Sequence, residues 1–158
     1  MAELVAASEV VWKWASFADL GVAELYAILR ARTAVFIVEQ ACPYQDTDDL
    51  DGACHHLWTL DAQGSIAAYL RVVPPGISYP EPALGRVITS SRARGTGLGH
   101  ALVAEGIRRV EALYGVTPIR IGAQRYLLSF YQKLGFVPTG YDYDEDGIPH
   151  SEMLRLGM

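Results

Sequence analysis

The sequence predicts an α+β fold, with one mixed, strongly twisted sheet, helices on both faces and a parallel pair of strands inside it. Three observations point there. Apolar runs of period two and of period 3.6 follow one another in the order β α, then β β β α β α β β. A β-branched run enters a glycine-rich bend and then an amphipathic helix, after which a further short strand follows, which is the pattern of a parallel crossover. The 158 residues, 51% hydrophobic and 20% charged, suit a single domain spanning 1–158 with a genuine core.

Val10, Trp12 and Trp14 alternate with Val11 and Lys13, so a first strand is expected over 10–14. Ser16 and Asp19 are candidate N-caps for a helix over 20–34, whose Val22, Leu25, Tyr26, Leu29, Thr33 and Phe36 share a face. The chain then opens through 35–40 into an acidic stretch. Asp46, Asp48, Asp49 and Asp51 repel one another, so this loop needs water, a cation or a basic group; a solvated, substrate-facing loop is expected, with pairing to Arg71 and Arg86 of the later strands as the alternative. An EF-hand starting at Asp46 would need Glu where Leu57 stands, and Cys54, His55 and His56 match no zinc spacing, so no metal is expected.

Residues 56–60 and 65–72, joined by Asp61-Ala-Gln-Gly64, read as a hairpin that turns one of His55 and His56 inward and the other outward. Prolines make 74–82 a loop. A strand over 84–90, a loop over 91–97 and a helix over 98–114 come next, with Val103, Ile107, Val110 and Tyr114 as its buried stripe and Glu105–Arg109 as a favourable pair. A strand over 119–123, a helix over 126–134 stopped by Gly135, and a hairpin turned at Asp144–Gly147 complete the chain.

The net charge of −5 and the lack of a Lys/Arg run disfavour nucleic acid as a partner. The N-terminus shows no basic, apolar leader and no run spans a bilayer, so no membrane partner is expected. Two cysteines make no disulfide framework, and reduced thiols in a cytoplasmic protein are the expectation.

The chemistry concentrates between Gly85 and His100. A strand, a glycine loop and a helix N-terminus form a seat for a phosphate, because free N–H groups and the helix dipole face an anion there. Arg94 adds a charged fork. A P-loop would end in Gly-Lys-Ser/Thr, and a dinucleotide fingerprint would need Gly at position 100, where His stands. What remains is Arg94-x-x-Gly97-x-Gly99, the coenzyme A pattern, and with it the chain resembles the GCN5-related N-acetyltransferase (GNAT) superfamily.

A second GNAT signature, Asn-x-x-Ala-x-x-Phe-Tyr-x-x-x-Gly-Phe, is matched at Phe130, Tyr131, Gly135 and Phe136, with Gln124 and Leu127 in place of Asn and Ala. Those departures, together with Arg32–Gln40, Cys42-Pro-Tyr-Gln45, Gly85-Arg-Val87, Gly122-Ala-Gln124 and Asp146–His150, look like the ElaA-like GNAT proteins. The resemblance implies a splayed parallel pair, 84–90 against 119–123, with the acetyl thioester of acetyl-CoA in the gap. It implies that Val87, Ile88 and Thr89 offer backbone groups to the pantetheine arm. Arg94, Gly95, Thr96, Gly97, Leu98, Gly99 and His100 would hold the pyrophosphate, with Gln124, Ser129 and Tyr131 as further cofactor contacts. Tyr131 would protonate the departing thiolate, for which a phenol of pKa about 10 is suited.

The expected reaction is N-acetylation of a primary amine, either a small cationic amine or a peptide amine, by direct attack. Such an amine is only about one part in a thousand neutral at pH 7.4, so a base or a water relay is needed. Glu39, expected to be partly buried or paired with Arg32 or Arg86, and His150 are the candidate bases, with His56 behind them. A homodimer is an expected assembly. The alternative class is a non-catalytic acyl-CoA-binding or sensing module.

Overall fold

A computed structural model describes residues 9–157. Its strands are β1 (Lys13–Ser16), β2 (His55–Leu60), β3 (Ile66–Val73), β4 (Ala83–Thr89), β5 (Ile119–Gln124), β6 (Phe136–Glu145) and β7 (Ile148–Arg155). The helices are α1 (Val22–Arg32), α2 (Leu98–Tyr114) and α3 (Leu128–Gln132). The strands form one seven-stranded sheet in the order β1-β2-β3-β4-β5-β7-β6. Every neighbouring pair is antiparallel except β4 and β5, which run parallel. The mixed sheet and the parallel pair are those the sequence predicts.

Both faces of the sheet are covered, and the alternation of β2 and β3 explains how. Leu57, Leu70 and Val72 pack on one side with Leu102, Val103, Ile107 and Val110 of α2, and with Tyr131 and Phe136. Trp58, Tyr69 and Ile88 pack on the other side with Ile28 of α1. All eight residues of β3 are therefore buried. Close packing of α2 on β3 depends on Gly106, where a Cβ would stand 2.9 Å from Leu70 Cδ2.

Three boundaries differ from expectation for local reasons. The first strand begins at Lys13 rather than at 10, and Val11 gives its carbonyl to the Thr59 hydroxyl (2.8 Å) instead of joining the ladder. Ser16 and Asp19 bond to each other in a separate 3-10 turn, and α1 starts beyond Gly21, whose N–H donates to the Glu24 carboxylate at 2.9 Å. A 3-10 turn over Arg125–Leu127 shortens α3. The exit of α1 loosens into a π-helical turn over Thr33–Glu39.

The functional geometry comes from β4. Its only register pair with β5 is Ala83↔Arg120, so the two strands diverge beyond that point. Along β3, Tyr69 faces Ile88 and Arg71 faces Gly85, so β4 spends one residue more than its partner. This bulge contains Arg86 at φ 49, a left-handed conformation that a residue with a Cβ seldom adopts. The extra residue bends β4 away from β5 and opens a V.

Candidate active site

A cleft of about 890 Å³ occupies the V. Its walls come from β4, the π-helical exit of α1, β5, α3 and the β6–β7 hairpin. Val87, Ile88 and Thr89 line it along β4, and Arg94 and Gly99 line it at the glycine loop. Gly95 and Gly97 have φ of 77 and 86, and a Cβ at either would meet nothing within 4 Å, so the loop presents bare backbone to open space. Gly97 leads directly into α2, whose first-turn residues His100 and Gly99 are exposed and half-buried. Thr96 and Leu98 point inward, Thr96 bonding the Ala93 carbonyl and Leu98 entering the core. Gln124 lines the cleft and pairs amide to amide with Gln40. Ser129 is exposed and stands apart from the cleft lining.

The three candidate proton-transfer residues all reach the cleft. Tyr131 is 5% exposed, wedged edge-on against Phe130 and Phe136, and burial raises the pKa of its phenol. Glu39 is exposed and paired with Arg94 at 2.6 Å, not with Arg32 or Arg86. Arg94 also donates to the Thr89 carbonyl at 3.1 Å, so it bridges the glycine loop, β4 and the exit of α1. His150 is buried with Nδ1 2.7 Å from the Ile148 carbonyl and Nε2 3.8 Å from Glu145 Oε2. A carbonyl only accepts, so Nδ1–H is the donor in that bond, which in the neutral imidazole leaves the lone pair on Nε2.

His56 is fully buried outside the cleft, between the Tyr69 hydroxyl (2.7 Å) and the Asp51 carbonyl (3.1 Å), and burial lowers its pKa. Its neighbour His55 stacks on Trp14 on the other side of the strand.

The acidic loop is not the solvated, substrate-facing surface that the sequence suggests. Arg32, entirely buried, grips Asp46 at 2.9 Å and Asp51 at 2.7 Å. Arg71 holds Asp48 at 2.6 Å and Asp51 at 3.0 Å, while Arg86 lies 2.8 Å from Asp46. Burial opposes ionisation of Asp48 and Asp51, but the guanidinium hydrogen bonds and charges outweigh it and hold both carboxyls below the usual range. The need for a basic partner was legible from the repelling aspartates. Arg71 and Arg86 were legible as partners from their place in strands, whereas Arg32 was not, because it reaches the loop from α1.

Sequence reasoning passed over a row of rings on the β6–β7 hairpin. Tyr141 stacks on Tyr143 (5.5 Å), which stacks on His150 (5.3 Å). Their period-two spacing along β6 was the available signal. Among the described residues no group of three or more His, Cys, Asp or Glu is placed to hold a metal ion, and no helix is long and apolar enough to cross a membrane.

Residues 20–156 match the family model of the acetyltransferase (GNAT) domain. The chain is 39% identical over 150 residues to protein ElaA from Escherichia coli, covering 92% of this chain and 96% of that one. The crystal structure of an acyl-CoA N-acyltransferase from Pseudomonas aeruginosa superposes with a TM-score of 0.86 at 42% identity, over 92% of this chain and 99% of that one. A likeness in fold alone (TM-score 0.69, 15% identity, 92% and 95% covered) links it to spermidine N-acetyltransferase from Vibrio cholerae in complex with CoA and spermine.

Proposed function

The chain belongs to the GNAT acetyltransferase family, and from that premise we propose that it transfers the acetyl group of acetyl-CoA to a primary amine by direct attack on the thioester. The observation that carries this reading is the V between β4 and β5, open from Ala83↔Arg120 onward, with a bare glycine loop at one end and Tyr131 on its wall.

The residues fit the cofactor. The backbone of Val87, Ile88 and Thr89 is freed by the bulge to bond the pantetheine amides. The N–H groups of Gly95 to Gly99, reinforced by Arg94 and His100, suit a pyrophosphate, with Thr96 and Leu98 anchoring the loop from inside. Gln124 flanks the arm from β5, whereas Ser129 on α3 stands apart from the cleft and drops out of the contact set. Bound acetyl-CoA supplies a thioester carbonyl activated for acyl transfer.

Tyr131 donates the proton that the departing sulfur takes as the C–S bond breaks. Its burial favours the neutral phenol, the form that can donate. For the proton leaving the amine, His150 is the better base of the two, since its Nε2 is a free acceptor with Glu145 beside it, whereas Glu39 is engaged by Arg94. The acceptor is a small cationic amine or a peptide amine, and the Vibrio protein of the same fold, crystallised with CoA and spermine, is an example of the class.

Thiol release from acetyl-CoA across a panel of alkyl-, poly- and peptide amines tests the reading, repeated with Tyr131→Phe, His150→Ala and Glu39→Gln. Turnover that falls in Tyr131→Phe and His150→Ala supports it. Binding of CoA with no turnover of any amine would instead support a non-catalytic acyl-CoA-binding module.

A further inference from the structure

Asp46, Asp48 and Asp51 are taken by Arg32, Arg71 and Arg86, and the exposed Asp49 stands outside the cleft lining, so recognition of the acceptor must come from elsewhere in the cleft. Of the carboxylates that line the cleft, Glu145 and Asp146 have no arginine partner, and both belong to the β6–β7 hairpin. Glu145 is exposed and faces His150 at 3.8 Å, and beside it the Tyr143 ring lies flat on the His150 ring, 5.3 Å between centroids and 21° apart. That stack, continued by Tyr141, lays the Tyr143 side chain across β7 toward β5.

Its hydroxyl comes to rest above Gly122. A Cβ built on Gly122 would overlap that oxygen, while Tyr143 Cζ would remain 3.4 Å away. Gly122 stands two residues past Arg120, the last point at which β5 pairs with β4, so the hydroxyl sits where the V begins to open. Gly122 and Tyr143 both line the cleft. Gly122 keeps an extended backbone outside the left-handed region, so conformation does not call for glycine there, and space for the phenol does.

We propose that Tyr143 is the residue that positions the acceptor: its hydroxyl, seated over Gly122, receives the nitrogen of an unbranched primary amine and fills the space that a branch on the adjoining carbon would need. The inference rests on the acetyl-transfer reading above and adds the shape of the acceptor to it. Burial, followed by the charge of Glu145, pushes the Tyr143 phenol up to about 12, so it stays protonated at neutral pH. Its oxygen accepts an N–H from the amine, which enters beside Glu145 and His150 Nε2. Gly122 acts only through Tyr143, as a positioning residue.

The test uses two conjugates of CoA, linked through an acetyl bridge to 1-aminobutane and to 2-aminobutane, with calorimetric affinities compared with that of CoA itself. Wild type should bind the linear conjugate about tenfold more tightly than the branched one, and Tyr143→Ala should abolish that preference. Gly122→Ala and Tyr143→Phe should each weaken the linear conjugate while changing CoA affinity by less than about threefold. The double variant should bind no more weakly than Tyr143→Phe alone, because removing the hydroxyl removes the clash. Persistence of the preference in Tyr143→Ala, or additive losses in the double variant, would overturn the proposal while leaving acetyl transfer standing. If wild type binds neither CoA nor the conjugates, the acetyl-transfer reading fails, and this one with it.

Discussion

At Tyr131 two roles coincide, because the ring that belongs to the core also carries the proposed acid. The ring is held edge-on by Phe130 and Phe136, so Phe in its place keeps the packing and removes only the hydroxyl. Tyr131→Phe is therefore expected to lower kcat by roughly a hundredfold, with the acetyl-CoA affinity and the melting temperature near those of wild type. A fall in affinity matching the fall in kcat would show a binding role instead. Arg32 poses the opposite case, a charge whose work is structural. It is fully buried between Asp46 and Asp51, so Arg32→Met leaves Asp46 to Arg86 alone and Asp51 to Arg71 alone and should cost about 3 kcal/mol in urea unfolding. Tyr131 was legible from its motif, since the motif fixes both its neighbours and its helix. Glu39 and Arg32 were less so, because what each does is decided by a partner from a distant element, Arg94 for the one and the acidic loop for the other.

Among the elements, the glycine loop and the bulge in β4 would divide the work of holding the cofactor in the proposed reaction. Gly97 at φ 86 turns the chain from the loop into α2 with its backbone exposed, so Gly97→Ala strains the turn without filling a cavity. The expected result is about 1 kcal/mol lost in stability and CoA affinity weakened about tenfold, while pantetheine, which lacks the pyrophosphate, binds as before. Equal losses for both ligands would place the pyrophosphate elsewhere. Strand, loop and helix were readable here because glycine spacing and period-3.6 burial are local signals. The bulge was not, since it exists only as a mismatch of register between β3 and β4, and Arg86 carries no sequence mark of its left-handed backbone. The ring stack on β6 and β7 escaped for the same reason: Tyr143 and His150 become neighbours only once the hairpin has set its register.

For the molecule as a whole, the ionic layer of Arg32, Arg71 and Arg86 with Asp46, Asp48 and Asp51 joins α1, β3, β4 and the acidic loop into one unit along a wall of the cleft, with His56 buried against it. Its protonation should govern stability in two stages. Burial depresses the folded pKa of His56, so below the ordinary histidine value of about 6.5 the unfolded chain takes up a proton that the folded chain refuses. Stability therefore falls as pH drops from about 6.5 toward the lower folded value. Asp48 and Asp51 are also depressed, so their contribution is complete above the ordinary carboxyl value of about 4 and is lost as pH falls through their folded values. Melting temperature against pH should accordingly decline gently below about 6.5 and steeply below about 4. His56→Gln should remove the first decline and keep the second, whereas Asp51→Asn should blunt the second and lower the plateau. A single transition, insensitive to His56→Gln, would show that His56 is not coupled to the ionic layer. Because that layer holds the cleft wall at Asp48, Arg71 and Arg86 without being proposed to move a proton, activity below about pH 4 should fail through unfolding, and saturating CoA should restore part of the lost melting temperature by binding the native state alone.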